Sequence, residues 1–556
     1  MNFAAISHIS GTLDICPRDD GTLQVRIRTG RHDFCQVCLL YTCNKFNWWQ
    51  GQERLVMTLA FTDSDFDYYH AVLPLTDMRF AYIFELTQPD GRVLYYSEEG
   101  LTSSYDHTFA YFTYFQYTSL FDCDRMSVPS WVPGACAYQI FPERFAIGDT
   151  AKDRRYINAA WGALPEPKSF YGGDLEGIRQ HLPYLRELGV TLLYLTPVFC
   201  SISNHKYDIY DYENVDPAFG GNEALRRLIA DAHAHGIRIM LDGVFNHCSN
   251  RHPFFEDVKK NGRLSPYYDW FFIDGDRPDE AKGNYRMFGQ VDYMPKLNTG
   301  HPEVIRYFSG VAVRWMREYG VDAWRLDVSD ELSHRFLRAF RDEVTAVCPE
   351  TLIIGEDWHA CARCLNGDEY DGVMNYALTK ACLDLLAFGT ISPAVFRDRL
   401  VRLYHRQSSA AAEKMLNLLD SHDTDRFLTR VRADARRYRA AAAMLFFYPG
   451  IPCVYYGDEI GLEGGYDPDC RRCFDWNADH WDTETQTLIR RLMQLKKEPA
   501  LAHGQFGLTE HDGVLTFTRQ APGSCAVLTV NGTDTERAGL PPYGYTIQYN
   551  KEDATL

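Results

Sequence analysis

The sequence predicts an α/β chain built on a (β/α)8 barrel, with an inserted loop domain after the third barrel strand, a β-sandwich before the barrel and a smaller β-sandwich after it. Three observations lead there. Between about residues 135 and 497, short apolar runs alternate with helical patterns, and eight such units can be counted. The flanking stretches are instead rich in β-branched and aromatic residues and are broken by turn signals. Ionisable residues also stand at the ends of successive strand runs, the rim where such a barrel carries its chemistry.

Residues 1–125 read as strands: LQVRIRTG, CQVCLLYTC, RLVMTLAFT and FAYIFELTQPDGRVLYYSEEG are punctuated by DDG, TDSD and PDG. A sandwich is the simplest architecture for that pattern, and its relation to glycan-binding modules is taken up below. A linker is expected near Pro129 to Gly134, in VPSWVPGA. The barrel, residues 126–497, opens with ACAYQIF, a helical LEGIRQHLPYLRELG stopped at Gly189, and VTLLYLTP. EALRRLIADAHAHG and IRIMLDG follow, then VIRYFSGVAVRWMREYG, VDAWRLDV, FLRAFRDEV and TLIIGED. About 246–302 breaks the alternation, and so long an excursion inside a barrel reads as a functional insertion. Residues 498–556 return to short strands: GLTEHDG, VLTFTRQ, CAVLTVNG and YTIQYN.

The chain has 556 residues, 46% of them hydrophobic and 24% charged, close to a globular average. Its formal charge, 57 − 75 = −18, repels phosphate backbones and anionic lipid, which argues against a nucleic-acid partner. No run is long and apolar enough for a membrane span, and the first residues do not read as a secretory signal. Sixteen cysteines then read as reduced thiols of the cytoplasm. Aromatic residues are abundant at 14%, which suits flat amphipathic ligands such as sugars as well as core packing.

The third strand run ends at Asp242, the fourth at Asp327, the fifth at Glu356, and the seventh is followed by His422 and Asp423. Any one of these alone could be a helix cap or a structural histidine; the ordered set is the stronger signal. Arg325 lies two residues before Asp327 and points to the same side of its strand, where it can keep Asp327 ionised. Glu356 has no adjacent fixed cation. An anion and a protonated acid in one cleft suit glycoside hydrolysis.

DGVFNH, GVDAWRLDV, GEDWH and LLDSHDT resemble, in order, the four principal conserved regions of the α-amylase superfamily, glycoside hydrolase family 13. YQIFPERFAIGD, SNHKYDIYDYENVDPAFG, MPKLN and GIPCVYYGDEIGLEGGYDPDCRRCFDW resemble its neopullulanase, cyclomaltodextrinase and maltogenic amylase subgroup, which also carries a starch-binding-like β domain ahead of the barrel. The resemblance implies a retaining hydrolase of α-1,4-glucosidic bonds in cyclodextrins, pullulan and malto-oligosaccharides, with transglycosylation as a possible second outcome. It makes Asp327 the nucleophile, Glu356 the acid/base and Asp423 the transition-state stabiliser. It assigns Tyr207, Asp242, His247, Arg325 and His422 to the cleaved sugar, Glu331 and Trp358 to the acceptor side, and Asp467 and Arg471 to the donor side. An α-glucosidase or oligo-1,6-glucosidase of the same family is the alternative, and a non-catalytic glycan-binding protein a remoter one.

Two departures from the subgroup stand out. Ser329 and Asp330 precede Glu331 where Ala and Asn are usual, which adds charge on the acceptor side. The usual calcium loop is disrupted at Ile147 and Lys152, so no cofactor is expected and Lys152 is expected to replace the ion, with bound calcium as the alternative. Cys361/Cys364 and Cys470/Cys473 have a zinc-like spacing, but some hundred residues separate the pairs and no zinc site is expected from them. Phe46, Trp48 and Trp49 form an aromatic cluster that, with the resemblance, points to a homodimer.

Overall fold

The computed structural model describes residues 1–551 except 12, 19–20, 43–51, 75–79, 107–112, 118–125 and 360. The aromatic cluster of Phe46, Trp48 and Trp49 lies outside the described residues.

The N-terminal segment is two antiparallel sheets. One runs in the order Ile15–Pro17, Thr22–Gly30, Phe66–Pro74, Thr58–Thr62; the other in the order Glu53–Val56, Gln36–Thr42, Phe80–Thr87, Val93–Ser97, Gly100–Thr102, with Phe115–Tyr117 paired to Phe80–Thr87. Leu23, Val25, Ile27, Val37, Leu39, Tyr82, Phe84 and Phe115 fill the space between them.

Eight parallel strands follow in chain order: Ala137–Ile140, Leu192–Leu195, Arg238–Gly243, Ala323–Leu326, Leu352–Gly355, Gly372–Val373, Leu416–Asn417 and Ile451–Tyr455. The first pairs with both the second and the eighth, and a parallel bridge from Met374 to Leu416 closes the ring between the sixth and seventh. Strands such as LLYL and AWRL are buried throughout, because a barrel wall faces a packed interior on one side and helices on the other. The helices stop where the sequence provides a left-handed residue: Gly189 ends Leu182–Leu188 at φ 109°, and Gly320 ends Pro302–Tyr319 at φ 83°.

Alternation along the strands decides what faces the barrel axis. Ala137, Leu192, Tyr194, Met240, Ala323, Leu352, Ile354, Leu416 and Ile451 form one inner cluster. One alternation further along, the inward positions become Gln139, Asp242, Arg325 and then Asp327 and Glu356. The same periodicity that plugs the N-terminal half of the barrel therefore delivers charge to its C-terminal rim.

The inserted segment carries the helix Pro253–Asn261 and isolated bridges that tie Phe271 to Leu297, Ile273 to Tyr285 and Met287 to Pro295. The C-terminal segment is a four-stranded antiparallel meander, Gln505–His511, Val514–Ala521, Ser524–Asn531 and Tyr545–Lys551. Its inner face is closed by the helices Pro393–Tyr404, Ala435–Phe447 and Pro499–His503 rather than by a second sheet among the described residues.

Candidate active site

The centre of the rim is one buried cation among three carboxylates. Arg325 Nη1 donates to Asp242 Oδ1 and Oδ2 at 2.8 and 2.9 Å and to Asp327 Oδ1 at 2.8 Å, and Arg325 Nη2 lies 2.9 Å from Glu356 Oε2. Strand register makes this possible: Arg325 lies opposite Asp242 on the third strand, and Leu326 lies opposite Gly355, so Asp327 comes level with Glu356. Sequence spacing places Arg325 beside Asp327 and gives Glu356 no adjacent cation; the structure corrects this, with Arg325 also hydrogen-bonded twice to Asp242 and paired with Glu356, because strand register brings all three to one guanidinium.

Asp242 is held by the Tyr194 and Tyr207 hydroxyls, each donating at 2.9 Å. Burial pushes its carboxyl up to about 6 against the pull of Arg325. Burial also raises Asp327, and Glu356, Asp242 and Asp423 add to this while Arg325 opposes it. Asp327 Oδ2 and His247 Nε2 have no hydrogen-bond partner and face one another at 4.0 Å. His247 stacks on Phe288, and burial lowers it to about 3, so it is a neutral imidazole.

Glu356 is held only by donors. Its Oε2 accepts from Val328 N at 2.9 Å, and its Oε1 accepts from Trp358 Nε1 at 3.1 Å. Val328 takes φ 47°, a left-handed conformation that is strained for a β-branched residue and turns its N–H toward Glu356. Trp358, 46% exposed, lies flat on Tyr376 with ring centres 3.8 Å apart.

On the opposite wall, Tyr207 and His422 stack in parallel and the Tyr207 hydroxyl meets His422 Nε2 at 2.5 Å. Gln139 Nε2 donates to His422 Nδ1 at 2.7 Å, which leaves the imidazole proton on Nε2, facing Tyr207 and Asp423 Oδ2. Burial, then Arg471 and Arg325, hold His422 well below its ordinary value. Arg471 ties the loop together, with contacts of 2.7 Å to His422 O, 3.2 Å to Asp423 Oδ1 and 2.9 Å to Asp467 Oδ1. Beside it opens a cleft of about 790 Å³, lined in part by His205, Asp208, Tyr293, Asp467 and Arg471. Glu331 stands apart from the carboxylate cluster and pairs with Lys296 at 2.5 Å.

Eleven of the twelve expected residues thus form one connected set, and Glu331 joins it at the edge through Lys296 and Asn246. Sequence reasoning missed Gln139, Tyr194, Tyr376 and the Val328 amide. The first two carry a usable signal, since each falls at an inward position on its strand.

The residues of the expected calcium loop do not fit a calcium ion. Lys152 Nζ lies in the oxygen cradle itself, 2.8 Å from Asp174 Oδ2, 2.6 Å from Gly172 O and 3.1 Å from Ala218 O, and its side chain is 5% exposed. Asp153 turns outward to Arg155, and Asp149 accepts from the Ala151 amide. Calcium needs about six to eight oxygens, and an ammonium already holds the three that converge. Adding calcium to chelator-treated protein is therefore expected to leave Tm unchanged, whereas Lys152→Met should cost ~3–5 kcal/mol by stranding buried Asp174. A calcium-restorable loss of Tm on chelation would contradict this arrangement.

Two family models match the chain: "Alpha amylase, catalytic domain" over residues 139–490 and "Alpha amylase, N-terminal ig-like domain" over residues 1–120. The chain is 41% identical to a cyclomaltodextrinase of Geobacillus thermopakistaniensis, over 97% of this chain and 93% of that one. It is 41% identical to neopullulanase 2 of Thermoactinomyces vulgaris, over 89% and 84% of the two chains. It is 39% identical to the intracellular maltogenic amylase of Bacillus subtilis, over 90% and 85%. A solved cyclomaltodextrinase superposes with a TM-score of 0.90 at 37% identity, covering 96% of this chain and 92% of that one.

Proposed function

The chain belongs to the α-amylase family, and from that premise we propose that Asp327 and Glu356 carry out a retaining glycoside hydrolysis at this rim. The enzyme is an α-glucan hydrolase of the cyclomaltodextrinase and neopullulanase type, acting on cyclodextrins, pullulan and malto-oligosaccharides. The observation that carries the assignment of roles is the sharing of one guanidinium by the two carboxyl groups. That sharing favours the ~5–5.5 Å separation of a retaining pair over the ~6.5–9.5 Å that leaves room for a water.

Asp327 Oδ2, free of partners, attacks the anomeric carbon while Glu356 gives its proton to the departing glycosidic oxygen. The ester formed on Asp327 is then broken by water, whose proton returns to Glu356. Neutral His247 and the Nε2–H tautomer of His422 supply neutral polar contacts for sugar hydroxyls. Asp423 and Arg471 border the donor cleft. Val328 N and Trp358 Nε1 donate to Glu356 and Arg325 Nη2 lies against it, so one of these three contacts gives way when the leaving oxygen takes its place. Trp358 is the exposed one of the three and faces the acceptor side. Comparing β-cyclodextrin, pullulan and isomaltose tests the substrate class, and fast cleavage of isomaltose alone would favour the α-glucosidase alternative.

A homodimer in which the N-terminal domain borders the neighbouring cleft is the quaternary reading. Ile202 and Tyr293, 46% and 40% exposed on the cleft wall, support it as apolar surface at the expected contact. Sedimentation as a monomer at micromolar concentration, with cyclodextrin still preferred over starch, would refute it. No described helix is long and apolar enough to cross a membrane. All fourteen described cysteines are free, which favours a reducing, cytoplasmic location, as does the "intracellular" name of one relative.

A further inference from the structure

We propose that His334, Cys364 and Glu369, with Cys361 as the adjoining thiol, form a binding site for a zinc-like divalent ion, independent of the catalytic residues. The donor atoms of His334, Cys364 and Glu369 all lie within 4.8 Å of one another. Tetrahedral zinc, with bonds of about 2.0–2.3 Å, needs its donors roughly 3.3–3.8 Å apart, so these three need to close by no more than about 1.5 Å, with Cys361 the nearest further thiol for the fourth position. Cys361 and Cys364 bracket a single 3-10 turn, Ala362–Cys364, closed by Cys364 N donating to Cys361 O at 2.8 Å. Both thiols are free and buried, and both lie beside the buried Tyr370 hydroxyl.

Glu369 is buried, and His334 Nδ1 meets its Oε1 and Oε2 at 2.8 and 3.0 Å. Arg338 Nη2 lies 3.1 Å from Oε1, which leaves Oε2 for an ion and makes Arg338 the group that orients the ligand carboxylate. His334 is 46% exposed on its side chain, so an ion has a way in. The paired thiols and imidazole select zinc or cobalt over calcium or magnesium. Burial raises both thiols, so ion binding must expel their protons. In this proposal the partners of the Cys361/Cys364 pair would be a histidine and a glutamate close in space, not Cys470 and Cys473.

The site joins the start of helix His334–Val347, which follows the Asp327 strand, to the loop that follows the Glu356 strand and carries Trp358. An ion there would pin that loop.

The test is titration of the chelator-treated full-length protein with Co2+. One equivalent should bind and produce a thiolate-to-cobalt charge-transfer band in the near ultraviolet. Cys364→Ser should abolish the band, and the surface variant His334→Ala, which leaves the core untouched, should weaken binding at least ~10-fold. Cys525→Ser, remote from the site, should change neither. Absence of the band in the unmodified protein, or its survival at full affinity in His334→Ala or Cys364→Ser, overturns the proposal.

Discussion

Glu356→Gln is expected to lower kcat on β-cyclodextrin by ~10²–10⁴-fold, with an unchanged circular dichroism spectrum. The substitution is nearly isosteric and removes only the proton that the leaving oxygen needs. Its effect should depend on the leaving group. A maltosyl fluoride, whose departing fluoride needs little protonation, should lose far less in the first step than cyclodextrin does. That contrast separates a proton donor from a residue that merely holds the site in shape. Retention of more than a tenth of wild-type turnover on cyclodextrin would remove Glu356 from the role.

Arg325→Met should be the most damaging substitution for the fold as well as for activity. Its guanidinium is the common partner of Asp242, Asp327 and Glu356, and all four groups are buried. Breaking a buried pair from one side costs ~3–5 kcal/mol, because the remaining charge is left unpaired. The pH dependence has a definite sign. Asp242 already sits at about 6, above its unfolded value, so its folded form favours the proton. A group shifted that way contributes its full stability below the unfolded value and loses it as pH rises through the folded one. Removing Arg325 raises the carboxyls further, so the Tm deficit of the variant should be largest near pH 7 and shrink toward pH 5. A deficit independent of pH would show that lost packing, not unpaired charge, dominates. In the unmodified enzyme, the raised Asp327 carboxyl should place the acidic limb of kcat/KM above the ordinary aspartate range.

Residues on one strand were legible together in the sequence. The two-residue step from Arg325 to Asp327 put both on one face, and the runs ending at Asp242, Asp327 and Glu356 identified the rim, because strand periodicity is local. Gln139 and Tyr194 went unread although they obey the same periodicity. In an otherwise apolar run a glutamine or tyrosine looks like core until its partner is known, and His422 and Asp242 lie 283 and 48 residues away.

By itself the sequence determined the strand–helix alternation, the inward face of each strand and the identity of the rim carboxylates, since each depends on spacing within one element. Tertiary structure alone decided how those elements stand against each other. Register set Arg325 opposite Asp242 and brought Asp327 level with Glu356. Loop closure put the Lys152 ammonium among oxygens of Gly172, Asp174 and Ala218. Packing of one helix against one loop gathered His334, Cys364 and Glu369. Such meetings join residues tens to hundreds of positions apart, and no period in the chain encodes them; they follow from burying the apolar faces of all eight units around one axis.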